Sequence, residues 1–219
     1  MRAALEALLR DHKLDVTLTS SAPWTEVPPD RLAATGHGDL DGALGGGLRR
    51  GHVSEIVGAA SSGRTTLVMS ALAAATARGE VAAIVDVCDT FDASSAEAHG
   101  VDLTRVLWVR ETGDPVRALK AFSLVLQAGN FGLVIFDLAD VAASVVRRFP
   151  FTTWMRVART IEGSDTVALL VASERTARSP LGVTVALEAS PARWMGAGAS
   201  RARLFAGVRP APRVVRARA

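Results

Sequence analysis

The feature that most constrains this chain is a strand–loop–helix pattern in its first third. Val53–Gly58 is mostly apolar, and the small residues of 59–63 lead into a stretch of good helix formers. Gly58 and Gly63 stand at the spacing of the phosphate-binding loop G-x-x-x-x-G-K-[ST]. Glycines let successive backbone N–H groups point into such a loop, and the helix start adds positive dipole. The pattern therefore predicts an anion cradle between a buried strand and a helix.

The candidate nucleotide site combines this loop with the end of a later strand. Thr65 stands where a hydroxyl would ligate Mg²⁺, and Asp137 ends an apolar strand as an acid associated with that ion would. Position 64 departs from the pattern, because the lysine expected there is an arginine, whose planar fork is bulkier than an ammonium group. The alternative is a turn that keeps small residues only for strand-to-helix packing. The candidate nucleotide-binding residues are Gly58, Ser61, Ser62, Gly63, Arg64, Thr65, Thr66 and Asp137.

Apolar strands alternate with helical stretches along most of the chain. The predicted strands are 53–58, 81–86, 105–110, 132–137 and 166–172, and the predicted helices are 65–78, 94–99, 115–127 and 151–162. This alternation predicts an α/β fold with a mostly parallel sheet that helices cover on both faces. Beyond residue 180, short β-like pieces follow one another without helices, and they predict antiparallel strands that extend one edge. These pieces are 181–189, 202–208 and 214–218.

Composition and the positions of proline and glycine suggest three segments in the 219 residues. They are an N-terminal helix and proline-containing arm (1–36), a core (37–190) and a basic C-terminal segment (191–219). The amphipathic start lacks the apolar core of a signal peptide, and no apolar run is long enough to span a membrane. The single Cys88 cannot form an intramolecular disulfide, which favours a reducing compartment. We therefore expect a cytoplasmic protein without a membrane segment.

Charge is distributed unevenly along the chain. Residues 1–139 hold 12 basic and 17 acidic residues, a net −5, whereas residues 140–219 hold 13 arginines and 5 acids, a net +8. This segregation favours DNA or an acidic protein as a partner of the C-terminal end. Trp194 could stack on a base, although we favour a core or interface anchor. The candidate DNA- or partner-binding residues are Arg147, Arg148, Arg193, Trp194, Arg201, Arg203, Arg209, Arg213, Arg216 and Arg218.

No residue pattern indicates a metal site built from histidine or cysteine. His37, His52 and His99 have no metal-ligand spacing with cysteines or acids. Cys88 follows a predicted buried strand, where a lone cysteine is usually inert. We therefore expect neither a metal centre nor a reactive thiol.

Several motifs in the same order resemble the ATPase core of the RecA recombinases. They are residues 43–48, 51–58, 61–63, 65–67, 84–86, 91–92, 100–103 and 134–137. The resemblance covers roughly residues 33–190, and it is specific because the separate motifs keep their order and similar spacing. It implies a RecA-like core with ATP and Mg²⁺ as the ligands to test, and it leaves open whether this chain binds them.

The chain departs from the recombinases at the residues that serve hydrolysis. Besides Arg64, Cys88 stands two positions after Asp86, where the family has the glutamate that activates the attacking water. Asp89 is adjacent, but a shift of one residue on an extended segment turns a side chain to the opposite face. Glu174 replaces the glutamine that senses the γ-phosphate. Since an unplaced base typically costs about 10²–10⁴ in rate, we expect no catalytic residues and at most weak hydrolysis.

A degenerate RecA-like chain of this size with an arginine-rich end is similar to the ImuA proteins, accessory proteins of bacterial SOS mutagenesis cassettes related to the SulA-like division inhibitors. This likeness implies a role in the SOS response to DNA damage and in translesion DNA synthesis. The implied partners are the RecA recombinase, an ImuB-like polymerase-related protein, an error-prone C-family DNA polymerase and DNA. Two alternatives stay open: an active DNA-dependent ATPase of the RecA superfamily, and a SulA-type cell-division inhibitor that acts by protein binding only.

Overall fold

The structure, a computed structural model, describes residues 27–177, 182–188, 192–196, 199–208 and 210–216. The predicted N-terminal helix, most of the arm, Arg209, Arg218 and the side chain of Arg216 lie outside that description. The helices are α1 (Gly38–Ala43), α2 (Arg64–Ala77), α3 (Ala93–Ala98), α4 (Pro115–Ala128), α5 (Ala143–Val146) and α6 (Phe151–Ile161). The strands are β1 (Leu32–Ala33), β2 (Leu48–Arg49), β3 (Val53–Gly58), β4 (Ala82–Asp86), β5 (Val106–Arg110), β6 (Leu133–Asp137), β7 (Val167–Ala172), β8 (Thr184–Leu187), β9 (Ala192–Met195), β10 (Leu204–Val208) and β11 (Pro212–Arg216).

Within the described part of the chain, seven strands form the central sheet, in the order β11-β8-β3-β7-β6-β4-β5. All neighbouring pairs from β8 to β5 are parallel, and β11 alone runs antiparallel, against β8. Strands β4 and β7 are buried at every position, which matches continuous apolar runs with helices on both faces. The α/β fold with a mostly parallel sheet that the alternation predicts is confirmed.

The core has one apolar layer on each face of the sheet. Leu67 and Leu72 of α2 are buried in one layer, and Phe122 of α4 is buried in the other. Phe122 stacks on Phe136 of β6 with ring centroids 4.8 Å apart. Helix α4 begins where expected because Asp114 accepts hydrogen bonds from two backbone N–H groups of the first turn. This packing holds the carboxyl ends of β3, β4, β6 and β7 along one edge.

The C-terminal strands differ in part from the expectation. Strand β8 is parallel to β3, and β11 extends the edge antiparallel to β8 as predicted. The predicted strand 202–208 does not join that edge, because β10 pairs with β9 in a separate two-stranded sheet. Strand β9, which the pattern did not predict, is only four residues long and fully exposed. Within the described ranges, no helix is long and apolar enough to cross a bilayer.

Candidate functional site

The phosphate loop joins the end of β3 to the start of α2. Gly63 adopts a left-handed conformation with φ +97°, and Ser61 has φ +61°. Helix α2 continues for 14 residues, so its aligned peptide dipoles favour an anion at Arg64 and its neighbours. The hydroxyl of Ser62 is buried and finds no hydrogen-bond partner among the described residues. This backbone arrangement fits a phosphate group, which residues 58–66 would hold.

One side of this loop is closed by the C-terminal part of the chain. Pro210, which precedes β11, is buried and lies directly against Gly63. A Cβ atom added to Gly63 would lie 2.8 Å from Cγ of Pro210. The loop geometry therefore depends on a glycine at this position for two reasons, the positive φ and the proline.

Replacing Gly63 by alanine is expected to lower the free energy of unfolding by about 1–3 kcal/mol. Alanine is strained at this positive φ, and its Cβ would press on Pro210, so the two costs add. The matched control is Gly79→Ala, since Gly79 has φ +80° and no atom within 4 Å of an added Cβ. Urea unfolding of both variants separates the two causes. Equal costs would show that Pro210 does not press on the loop.

Arg64, where the motif expects lysine, ties two loops together. Its side chain is only 7% exposed, and its guanidinium donates a hydrogen bond of 3.0 Å to the carbonyl oxygen of Ala139. Ala139 belongs to the loop that follows β6. The arginine thus links the phosphate loop to the segment carrying the predicted acid Asp137.

Asp86 and Asp137 stand at the carboxyl ends of the adjacent strands β4 and β6. They are register partners in the parallel pairing. Asp86 is fully buried, and its Oδ2 accepts a 2.8 Å hydrogen bond from the backbone N–H of Phe91. Its Oδ1 is buried without a hydrogen-bond partner among the described residues. The end of the sheet therefore holds two carboxyl groups on adjacent strands, although Trp108 Nε1 also donates to Asp86 Oδ2, at 3.4 Å.

The pKa of the Asp137 carboxyl is raised in this environment. Burial, together with the nearby Asp86 and Asp140, raises its pKa to about 6, although the backbone N–H of Ala139 and the charge of Arg64 act in the opposite direction. A cation placed here would favour the ionised form. The residues thus fit a Mg²⁺ ion bound to a phosphate in the loop, because the ion itself would supply positive charge beside Asp137.

Cys88 follows β4 in the same region. Burial raises the pKa of its thiol, and the carboxyl groups of Asp140, Asp86 and Asp137 raise it further. The thiol therefore stays protonated at neutral pH. A neutral thiol is neither an effective base nor an activated nucleophile.

The neighbouring Asp89 is engaged elsewhere. Its two carboxylate oxygens accept hydrogen bonds of 2.8 Å each from the guanidinium of Arg110. Arg110 in turn lies over the ring of Trp108, 4.5 Å from its centroid. Asp89 therefore belongs to an exposed ion pair on the β5 side of the sheet.

Arg147, the first of the two predicted DNA-binding arginines after β6, lines a cavity of about 660 Å³. Phe149, Phe151 and Trp154 form its aromatic wall. Arg147 donates a 2.6 Å hydrogen bond to Glu174, the residue that replaces the expected glutamine after β7. This ion pair links Arg147 and Glu174, which the sequence analysis considered separately. Arg148 is exposed next to it.

Glu55 is a site residue that the sequence reasoning missed. It is a buried carboxylate in the middle of β3, and it accepts hydrogen bonds from the backbone N–H groups of Thr176 (2.8 Å) and Ala177 (3.0 Å) and from the hydroxyl of Thr184 (2.7 Å). These bonds fix the segment that follows Glu174. A charged residue within a mostly apolar predicted strand was the available signal.

The C-terminal candidates are divided between two strand pairs. Arg193 and Trp194 lie on β9, and Arg201 and Arg203 lie in and beside the turn before β10, all exposed. Trp194 is therefore not a core anchor. Arg213 on β11 is 3.5 Å from the carboxylate of Glu188. The basic residues thus form exposed surfaces outside the phosphate loop.

A phosphate loop at the end of a central parallel strand, faced by acids on neighbouring strand ends, defines an α/β protein of the phosphate-loop class. The model of the RecA N-terminal domain family matches residues 26–149. That span is more than half of the chain, and the protein therefore belongs to the RecA family. The expectation of a RecA-like core is confirmed.

The relatives match only part of their own length. The chain is 40% identical to Protein RecA of Chlorobaculum tepidum over 116 residues, 52% of this chain and 33% of that protein. It is 43% identical to Protein RecA of Chlorobium limicola over 114 residues, 51% of this chain and 31% of that protein. The crystal structure of the RadB recombinase aligns with a TM-score of 0.53 at 17% identity, covering 72% of this chain and 83% of that chain. The chain spans about a third of the curated relatives, and the RadB likeness shows the fold alone.

Proposed function

We propose that this protein is an accessory member of the RecA family, similar to the ImuA proteins, that acts by binding rather than by hydrolysing ATP. Its proposed setting is the bacterial SOS response and translesion DNA synthesis in the cytoplasm. Its proposed partners are the RecA recombinase, an ImuB-like polymerase-related protein and an error-prone C-family DNA polymerase, with DNA as a further ligand.

The observation that carries this proposal is the state of Cys88. The thiol stands where the resemblance places the water-activating glutamate, and burial with three nearby carboxyl groups holds its pKa above the ordinary value. Asp89 cannot take over, because Arg110 binds both of its carboxylate oxygens. Hydrolysis needs a base within hydrogen-bond reach of the attacking water. The retained fold then serves to present binding surfaces.

The structure also retains features that keep the ATPase alternative testable. Ser61 and Gly63 of the phosphate loop have positive φ, and the buried hydroxyl of Ser62 has no hydrogen-bond partner among the described residues; both features support phosphate binding. Binding of ATP with Mg²⁺ would supply positive charge beside Asp137 and leave Thr65 as the expected hydroxyl ligand. Binding without turnover is compatible with the accessory role.

Phosphate release from ATP and Mg²⁺, measured with and without single-stranded DNA, tests the proposal. We expect the purified protein to run at least about 10²-fold slower than a RecA recombinase assayed alongside it. Cys88→Ser and Asp89→Asn should leave any residual turnover unchanged. Turnover at a recombinase-like rate that either substitution abolishes would establish the ATPase alternative instead.

Direct binding separates the remaining alternatives. Biolayer interferometry with purified RecA recombinase, with an ImuB-like protein and with DNA should detect at least the recombinase contact. Deleting residues 201–219 is unsuitable as a test, because it would remove β11 from the central sheet. Arginine substitutions at exposed positions avoid that damage. Binding only to a cell-division protein would favour the SulA-type inhibitor.

A further inference from the structure

The β9–β10 ribbon, residues 192–196 and 199–208, carries the main exposed apolar surface of the described chain. Ten large apolar side chains are exposed among the described residues, and four of them lie on this ribbon. They are Trp194, Met195, Leu204 and Phe205, each between 56% and 69% exposed. Contiguous exposed apolar surface of this kind typically marks a site of interaction with another molecule.

The pairing register distributes these side chains over both faces of the ribbon. Trp194 stands opposite Phe205, and Met195 stands opposite Leu204. Since successive residues of a strand point to opposite faces, one face is aromatic and the other is aliphatic. The aromatic rings pack edge to face, 5.7 Å apart. A two-stranded ribbon is marginal alone in water, and one that exposes apolar groups on both faces gains most from a partner that encloses it.

The charge of the ribbon defines the chemistry of that partner. Arg193, Arg201 and Arg203 are exposed on it. The sequence from 189 to 219 contains seven arginines and no acid, so this stretch of the chain carries a strong positive charge. The partner surface must therefore be negatively charged around its apolar part.

We propose that the β9–β10 ribbon inserts into an apolar cleft of a partner protein, with acidic side chains bordering that cleft. Single-stranded nucleic acid is the less suitable occupant. Bases would stack on Trp194 and Phe205 beside the arginines, but they would leave Met195 and Leu204 in water. A protein cleft covers both faces. The inference rests on the proposed function, which makes the RecA recombinase the first partner to test.

The test uses the full chain and purified RecA recombinase from the same organism, with affinity measured by calorimetry. Leu204→Ser removes one of the two side chains of the aliphatic face, and Trp194→Ala removes one of the two rings of the aromatic face. Each is expected to weaken binding about tenfold or more, as for buried interface anchors. Leu124→Ser is the matched control, because Leu124 is a 65% exposed leucine on α4, away from the ribbon. That variant should bind like the wild type.

A charge variant and a DNA titration complete the experiment. Arg201→Glu with Arg203→Glu should weaken binding to the recombinase and reduce its salt dependence. Unchanged melting temperatures would show that the variants fold, since these side chains lie outside the core.

Two results would overturn the inference while the proposed function stands. One is unchanged recombinase affinity in both ribbon variants. The other is that Trp194→Ala weakens recombinase binding and also abolishes binding of oligo(dT), while Leu204→Ser changes neither. That result would assign the ribbon to nucleic acid. Failure of the wild-type protein to bind the recombinase would instead overturn the proposed function and the inference together.

Discussion

Replacing Glu55 by alanine is expected to lower the free energy of unfolding by about 3–5 kcal/mol. The substitution leaves the part-buried N–H group of Thr176, the buried N–H group of Ala177 and the buried hydroxyl of Thr184 without their acceptor. Each unpaired buried donor costs about 1–3 kcal/mol, and bonds to a charged acceptor lie at the upper end. Urea unfolding at neutral pH measures the loss.

Glu55→Gln is the matched control for this prediction. The amide oxygen can still accept from the two backbone N–H groups, and the amide nitrogen can donate to the hydroxyl of Thr184. We expect it to cost less than half as much as Glu55→Ala. Equal costs would show that the negative charge, and not the acceptor geometry, stabilises the segment. A cost below about 1 kcal/mol for alanine would show that water replaces the carboxylate.

Removing the Glu55 carboxylate should also affect the candidate site. Thr176 and Ala177 follow Glu174, whose carboxylate pairs with Arg147 beside the aromatic cavity. Releasing this segment removes the support of that ion pair. Any partner that contacts Arg147 should therefore bind more weakly to Glu55→Ala than to Glu55→Gln, even where both variants remain folded at the assay temperature.

Sequence patterns predicted the central sheet because its strands carry the strongest local signal. Strands such as β4 and β7 are apolar at nearly every position, and their lengths of five and six residues favour a buried strand over a helix. Asp92 and Asp114 mark the starts of α3 and α4 through side-chain caps, which act over two or three residues. The phosphate loop was predictable for the same reason, since its glycine spacing is local.

Features that depend on distant contacts were not predictable in this way. Gly63 meets Pro210 only because β11 returns to the sheet beside β8. The acids that raise the pKa of Cys88 come from strands separated by about 50 residues of sequence, and the register of β4 on β6 brings them together. Strand β9 has no apolar alternation that a core would impose, because neither of its faces is buried.

Asp137→Asn is expected to stabilise the protein at neutral pH. The folded state holds the pKa of Asp137 at about 6, above its ordinary value of 3.8, mainly through burial. Between these values the folded state binds more protons than the unfolded state, so stability falls as pH rises from about 4 to about 6. The full shift corresponds to about 3 kcal/mol above pH 6. Because the side chain keeps partial contact with solvent, we expect a gain of about 1–3 kcal/mol in the variant.

The pH profile distinguishes this cause from a simple packing effect. Asparagine can still accept from the backbone N–H of Ala139, which is the one hydrogen bond that the Asp137 side chain makes among those described. Thermal unfolding from pH 4 to pH 8 should therefore show a decline in the wild type that is reduced in Asp137→Asn. A variant less stable than the wild type at pH 7 would mean that the carboxylate has a favourable partner.

The same pair of proteins reports on the nucleotide site. If ATP with Mg²⁺ binds at residues 58–66, the added positive charge favours the Asp137 carboxylate. Ligand should then raise the melting temperature of the wild type more at pH 8 than at pH 5, and asparagine should remove that pH dependence. If ligand stabilises the wild-type protein at neither pH, ATP with Mg²⁺ does not bind beside Asp137. The phosphate loop would then be a structural turn, and binding by other surfaces would carry the function.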